Sequence, residues 1–379
     1  MVGGESAKGY AGKLISYGRQ SIGDDDIQAV CDALKSDFLT QGPLVQEFEQ
    51  KLADYCGARF AVAFSNGTAA LHGAYFAAGL SEGDEFICPA NTFAATSNAG
   101  VYLGGKPVFI DIELETGNID ASKIEEKITS KTKVITPVDF AGQPVDLDEI
   151  KSLAKAHNLL VIEDACHALG ATYKGEKPGT LADMTVFSFH PIKSITTCEG
   201  GAVLTDNEEF AQKMQQFRTH GITKTDQWTS QMQFLGFNYR LSELHSALGI
   251  SQLKKIDNFI QKRKKIAEKY NNELSTKLSL PLQKPDRTSA WHLYSVKVPK
   301  EKAPQKKQIL QALMDKGIAA QVHYIPVYHH PFYEKNFPTP ACENAEEHYS
   351  RVITLPIYTD LTEEDQSYVI ETINSLISS

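Results

Sequence analysis

The chain has 379 residues, of which 42% are hydrophobic and 22% charged, and a formal net charge of −9. That length suits one large domain with a smaller one, and the composition is that of an ordinary soluble globular protein. The acidic balance argues against non-specific nucleic-acid binding, which needs a basic face, but leaves room for a local basic pocket.

Residues 1–13, MVGGESAKGYAGK, hold no apolar run of the secretory kind and read as a flexible arm. In the segment VQEFEQKLADYCG the side chains Phe48, Leu52 and Tyr55 share one helical face, and Gly57 ends it. FAVAF (60–64) is a short apolar run of strand type, followed by SNGT and an alanine-rich helix. EFICPA, PVFIDI, KVITPVDF, LLVIEDA, TVFSF and GAVLTD continue as buried strands, with the amphipathic helix LDEIKSLAKAHN between them. Continuous apolar strands alternating with helices predict an α/β fold with a mostly parallel sheet covered on both faces. From residue 241 the pattern turns helical, in one or two long helices, and then gives the strand AWHLYSVKV, the helix KKQILQALMDKG, the strand AAQVHYI and a terminal helix. The expected division is therefore a large domain over 14–255 and a smaller α+β domain over 256–379. The basic cluster Lys262, Arg263, Lys264, Lys265 reads as a solvated helix face. Six scattered cysteines with no CxxC pair suggest neither a zinc site nor a disulfide framework, as expected of reduced thiols in a cytoplasmic protein without a metal. No segment has the uninterrupted apolar length of a membrane helix.

Four segments stand where open α/β sheets place ligands, at strand ends. Asn66-Gly67-Thr68 joins a strand to a helix N-terminus, where free N–H groups, a hydroxyl and a glycine can take an anion such as phosphate. Asp164 ends the strand LLVIED and can pair with a pyridine nitrogen, and Phe93 in PANTFAAT can stack on a ring. Lys193 lies in a short loop after TVFSF, an unusual place for a lysine, close to Thr196, Thr197 and Gly200-Gly201. Desolvation there would lower its pKa, as a Schiff-base lysine requires. Ser188, five residues earlier, can donate to a phosphate. Each feature alone has a commonplace structural use; together they supply the contacts that pyridoxal 5′-phosphate (PLP) needs. No GxGxxG, GxSxG or HExxH motif competes with that reading.

FSNGTAALHGA, VIEDACHALGA, SFHPIKSITTCEGGA and GFNYRLSELHSALG resemble, in this order, the DegT/StrS-like family of nucleotide-sugar aminotransferases, over a span from about Tyr17 to the C-terminus. The resemblance implies the PLP type I aminotransferase fold, with a seven-stranded-type sheet in the large domain. It implies that Lys193 tethers the cofactor and carries protons, and that Asp164 partners the ring nitrogen. It places His167 near the ring hydroxyl, Phe93 on the ring face, and Gly67, Thr68 and Ser188 on the phosphate. It gives Asn238 the part of an asparagine that reaches the phosphate from the neighbouring subunit of a homodimer with shared sites. A lysine rather than a histidine at position 193 favours amino transfer over the dehydration that some relatives perform. Further segments, among them VDFAGQPVDLDEI and AQVHYIPVY, resemble family members of pseudaminic acid biosynthesis. Those use L-glutamate to aminate the C4 ketone of UDP-2-acetamido-2,6-dideoxy-L-arabino-hex-4-ulose. The same resemblance puts Tyr17, Thr40, Gln321, His323 and Tyr324 in the substrate pocket. The alternatives are another nucleotide 4-keto or 3-keto sugar, or a PLP-binding regulator without turnover. A desulfurase would need a mobile catalytic cysteine, and Cys198, inside TTCEGG, is expected to be packing instead.

Overall fold

The computed structural model describes residues 14–378. The first thirteen residues, expected as an arm, lie outside the described residues. Seven short strands form the central sheet: β1 Phe60–Phe64, β2 Glu85–Pro89, β3 Lys106–Ile110, β4 Thr132–Ile135, β5 Leu160–Asp164, β6 Met184–Ser188 and β7 Gly201–Thr205. Their spatial order is β1-β7-β6-β5-β4-β2-β3, parallel throughout except that β7 runs antiparallel to both of its neighbours. The sheet is thus mostly parallel and the molecule α/β, as its alternating pattern predicts. Almost every residue of these strands is buried, which is why they read as continuous apolar runs rather than as alternation.

Eight helices accompany this half of the chain: α1 Asp24–Leu34, α2 Pro43–Cys56, α3 Gly67–Ala77, α4 Ala95–Val101, α5 Leu147–Ala156, α6 Glu208–Phe217, α7 Glu243–Leu253 and α8 Ile256–Glu273. α2 closes on Gly57, whose φ of 79° is the left-handed C-cap that the sequence suggests. The long helical stretch after residue 241 resolves into α7 and α8. Beyond it, β8 (Tyr294–Lys297) pairs antiparallel with β9 (Val352–Leu355). One apolar cluster packs Ile256, Phe259 and Ile260 of α8 with Phe187 and Phe189. Another packs Ile266, Ala267 and Tyr270 of the same helix with Tyr294, Val296 and Ile353. α8 therefore runs through both cores.

Three local expectations change. Of AAQVHYI only Ala319 is strand, as the end of Ile318–Ala319, followed by a single bridge from Gln321 to Thr354, because His323 and Tyr324 then line a cavity. An exposed hairpin, Ile222–Lys224 against Ser230–Met232, has no counterpart among the predicted strands. Within the basic cluster, Lys262, Lys264 and Lys265 are exposed as expected, but Arg263 is 1% exposed, since it falls on the buried stripe of α8.

Candidate active site

The C-terminal ends of β5 and β6 and the N-terminus of α3 surround a cavity of about 530 Å³. Asp164, the last residue of β5, is 4% exposed on its floor. Main-chain bonds hold it on both sides: its N–H donates to Pro137 at 2.9 Å and its carbonyl accepts from Asp139 at 3.1 Å. The Thr96 hydroxyl donates to Asp164 Oδ2 at 2.7 Å, and the Cys166 N–H to Oδ1 at 3.2 Å. A buried carboxylate held in this way is fixed in orientation where it lines the cavity.

Lys193 comes from the loop between β6 and β7 and lines the same cavity. Burial lowers its pKa, while Cys166 and Asp164 act in the opposite direction. Burial is thus the dominant influence, and it raises the fraction of neutral, nucleophilic amine. Nearby, His167 packs on His292 with ring centroids 4.3 Å apart. Burial first, and then the charges of Lys193 and His323, push His167 well below the usual histidine range, so its imidazole is neutral at pH 7. Its Nε2 lies 3.4 Å from the Tyr324 hydroxyl, and its buried Nδ1 has no protein partner. Burial likewise takes His323 down to about 4 and keeps the Tyr324 hydroxyl protonated.

The strand–helix junction forms a cradle. Asn66 caps α3 by accepting from the Ala69 N–H at 2.8 Å, which leaves Gly67 and Thr68 with first-turn amides that have no intrahelical acceptor. A Cβ on Gly67 would fall 2.9 Å from Ser188 Cβ and 3.1 Å from its Oγ, so only glycine leaves that space open. Opposite, Phe93 stands 61% exposed at the mouth, 6.1 Å between ring centroids from Tyr324. Tyr17 closes the wall against His323, at 5.4 Å between centroids.

The cavity therefore gathers Tyr17, Gly67, Thr68, Phe93, Asp164, His167, Ser188, Lys193, His323 and Tyr324 from segments far apart in sequence. Three expected site residues are not in its lining. Thr40 is exposed and bridges Ser242, Gln321 is exposed and pairs its backbone with Thr354, and Asn238 is exposed beside Thr219. Asn238 was expected to act across a subunit boundary. Cys198, expected to be packing, is exposed with φ of 67°, because it forms the tip of the turn into β7. Thr96 and His292 line the cavity without a motif to announce them.

These residues fit pyridoxal phosphate. The glycine-and-serine cradle at a helix N-terminus suits a phosphate, and the unpartnered imidazole nitrogen and buried carboxylate suit a heteroaromatic ring with a hydroxyl and a protonated nitrogen. Among the described residues no group of three or more His, Cys, Asp or Glu could hold a metal ion, and no helix is long and apolar enough to cross a membrane.

Comparison with known proteins points the same way. The model of the DegT/DnrJ/EryC1/StrS aminotransferase family matches residues 20–374. The chain is 42% identical over 369 residues to a UDP-4-amino-4,6-dideoxy-N-acetyl-beta-L-altrosamine transaminase of Campylobacter jejuni, covering 96% of this chain and 98% of that one. It is 37% identical over 378 residues to the spore coat polysaccharide biosynthesis protein SpsC of Bacillus subtilis, covering 96% and 97%. Among solved structures, Helicobacter pylori PseC, an aminotransferase involved in the biosynthesis of pseudoaminic acid, superposes with a TM-score of 0.93 at 36% identity, over 97% of this chain and 100% of that one. NtdA of Bacillus subtilis, solved with bound cofactor PMP, does so with a TM-score of 0.86 at 33% identity, over 94% and 83%.

Proposed function

The chain belongs to the DegT/DnrJ/EryC1/StrS aminotransferase family, and from that premise we propose that it transfers the amino group of L-glutamate to the C4 ketone of a nucleotide-linked 4-keto-6-deoxy sugar. The substrate we favour is UDP-2-acetamido-2,6-dideoxy-L-arabino-hex-4-ulose, on the strength of the Campylobacter and Helicobacter relatives. The observation that carries the reading is the meeting of Lys193 and Asp164 in one cavity beside the Gly67–Ser188 cradle.

When bound, pyridoxal phosphate supplies an aldehyde that takes up amino groups and a ring that delocalises the electron pair left by a departing proton. Gly67, Thr68 and Ser188 would hold its phosphate, Phe93 would cover its ring, and His167 would face its hydroxyl. Asp164 would accept from the ring nitrogen and keep it protonated, held at the required angle by Thr96. Lys193 Nζ would tether the group through its aldehyde. As a free amine it would act as general base toward the proton on the donor's α-carbon and as general acid when that proton is handed on. The same nitrogen would serve the sugar carbon in the opposite sense, giving it a proton as general acid. Tyr17, His323 and the protonated Tyr324 hydroxyl form the wall against which the sugar lies, with Thr40 and Gln321 further out.

A homodimer with shared sites belongs to this reading. Trp228, Met232 and Leu235, exposed at 85%, 65% and 77%, precede Asn238 and make an apolar surface of the kind that partners cover. Sedimentation as a dimer, and weaker cofactor retention in Asn238→Ala, are the expected results. Cytoplasmic location is the final part of the reading, with which the six free cysteines among the described residues agree.

The deciding experiment incubates the purified protein with glutamate and a panel of nucleotide 4-keto sugars, and identifies products by mass spectrometry and NMR. The protein should be yellow, with a visible band that borohydride fixes. A colourless Lys193→Ala protein that still aminated the sugar at the wild-type rate would overturn the role given to Lys193.

A further inference from the structure

Arg263 occupies a position that helical periodicity reserves for a core side chain. On α8 the buried residues are Ile256, Phe259, Ile260, Arg263, Ile266, Ala267 and Tyr270. The residues before Arg263 pack in one apolar cluster and those after it in another, so the guanidinium lies at the seam. It is 1% exposed and has no carboxylate partner among the described residues. Burying an unpaired cation is costly, and a methionine or leucine would fill such a place at less expense.

The guanidinium instead donates to main-chain carbonyls of three separate segments. Nη1 reaches Ile357 at 3.0 Å, Trp291 at 3.3 Å and His292 at 3.5 Å, and Nη2 reaches Ile192 at 3.5 Å. Two of these segments line the cavity, and the third holds a residue that does. Ile192 lines it and immediately precedes Lys193. His292 lines it and supports His167. The Ile357 N–H donates to the carbonyl of Tyr17 at 3.0 Å, which ties Tyr17 to the same centre. The planar fork of arginine can serve several carbonyls at once, whereas a lysine ammonium has only three donors on a flexible stem.

We propose that Arg263 is a positioning residue, which sets the Lys193 loop against the Tyr17 and His292 walls by gathering their carbonyls at the seam between the two cores. It touches neither cofactor nor substrate. The inference rests on the reading of Lys193 as the tether of pyridoxal phosphate. Burial brings the pKa of Arg263 to about 10, so the guanidinium keeps its charge at neutral pH.

The test compares Arg263→Met and Arg263→Lys with wild type, each loaded with pyridoxal phosphate, by visible circular dichroism per bound cofactor, kcat, KM for glutamate and thermal midpoint. Visible dichroism reports how the protein holds the ring, and a purely structural role would lower the thermal midpoint without moving it. In Arg263→Met the dichroic band should fall by about half or more and kcat by about tenfold, with KM changed less than about threefold, because the loss is of alignment rather than of binding. Arg263→Lys should recover part of both signals. A folded Arg263→Met with wild-type dichroism and kcat overturns this inference alone. Should Arg263→Met fail to fold, Arg263→Lys carries the test: reduced dichroism and kcat support the inference, and wild-type values overturn it, since an ammonium cannot hold all of these carbonyls. A wild-type protein that takes up no pyridoxal phosphate overturns this inference together with the reading beneath it.

Discussion

At the scale of single residues, the site shows which chemistry announces itself in a sequence. Asp164 and Lys193 follow apolar runs, and although each alone has a commonplace structural use, their combination points to one site, and both line the cavity. Gly67 is legible for the same reason, as a glycine between strand and helix. Thr96 and His292 carry no such mark. A threonine in a short helix and a histidine in a predicted strand look ordinary until the fold sets one against Asp164 and the other against His167. Thr96 is 1% exposed, and its hydroxyl gives Asp164 Oδ2 one of the two hydrogen bonds that carboxylate receives. Thr96→Val keeps the shape and removes the donor. It should weaken cofactor binding by about 1–2 kcal/mol, roughly tenfold in Kd. Titration of cofactor-free protein with pyridoxal phosphate measures this, and an unchanged Kd would deny Thr96 a part in orienting Asp164.

At the scale of elements, the buried strands are readable because a parallel sheet covered on both faces must be apolar throughout. The hairpin at 222–232 is not, because its strands are exposed and carry no apolar pattern. The link between α2 and α7 is equally hidden. α2 begins after Gly42, which has no side chain to cap it. Glu243, at the start of α7, supplies the cap from a distance: its carboxylate accepts from the N–H groups of Gly42 and Leu44 at 2.9 Å and of Val45 at 3.3 Å. Negative charge at that end also meets the positive pole of the helix. Glu243 is 1% exposed, so losing its carboxylate strands buried donors. Glu243→Ala should destabilise the protein by about 2–3 kcal/mol in denaturant unfolding, with an unchanged visible band in the folded fraction. A loss within about 0.5 kcal/mol would show that solvent replaces the cap.

At the scale of the whole molecule, the buried titratable groups divide into two sets with opposite effects on stability. Burial holds His72, His167, His292, His323 and His348 below the usual histidine range. Their stabilising effect is complete above the ordinary pKa of 6.5 and is lost as pH falls. Behind Asp164, Asp139 and Glu163 are both fully buried, and each leaves one oxygen with no donor among the described residues other than the opposing carboxyl. Burial first, and then their mutual repulsion and that of Asp164, raise Asp139; burial takes Glu163 up to about 7. For a carboxyl raised on folding, stability is complete below its unfolded pKa and is lost as pH rises through the folded value. The two sets therefore oppose one another across mildly acidic pH, and wild type alone cannot separate them. The double variant Asp139→Asn/Glu163→Gln can, because it removes the carboxyl pair and leaves every histidine in place. Its thermal midpoint should gain on wild type as pH rises from about 4.5 through about 7. A difference that stayed constant from acid to neutral pH would mean that the pair does not hold its proton in the folded protein.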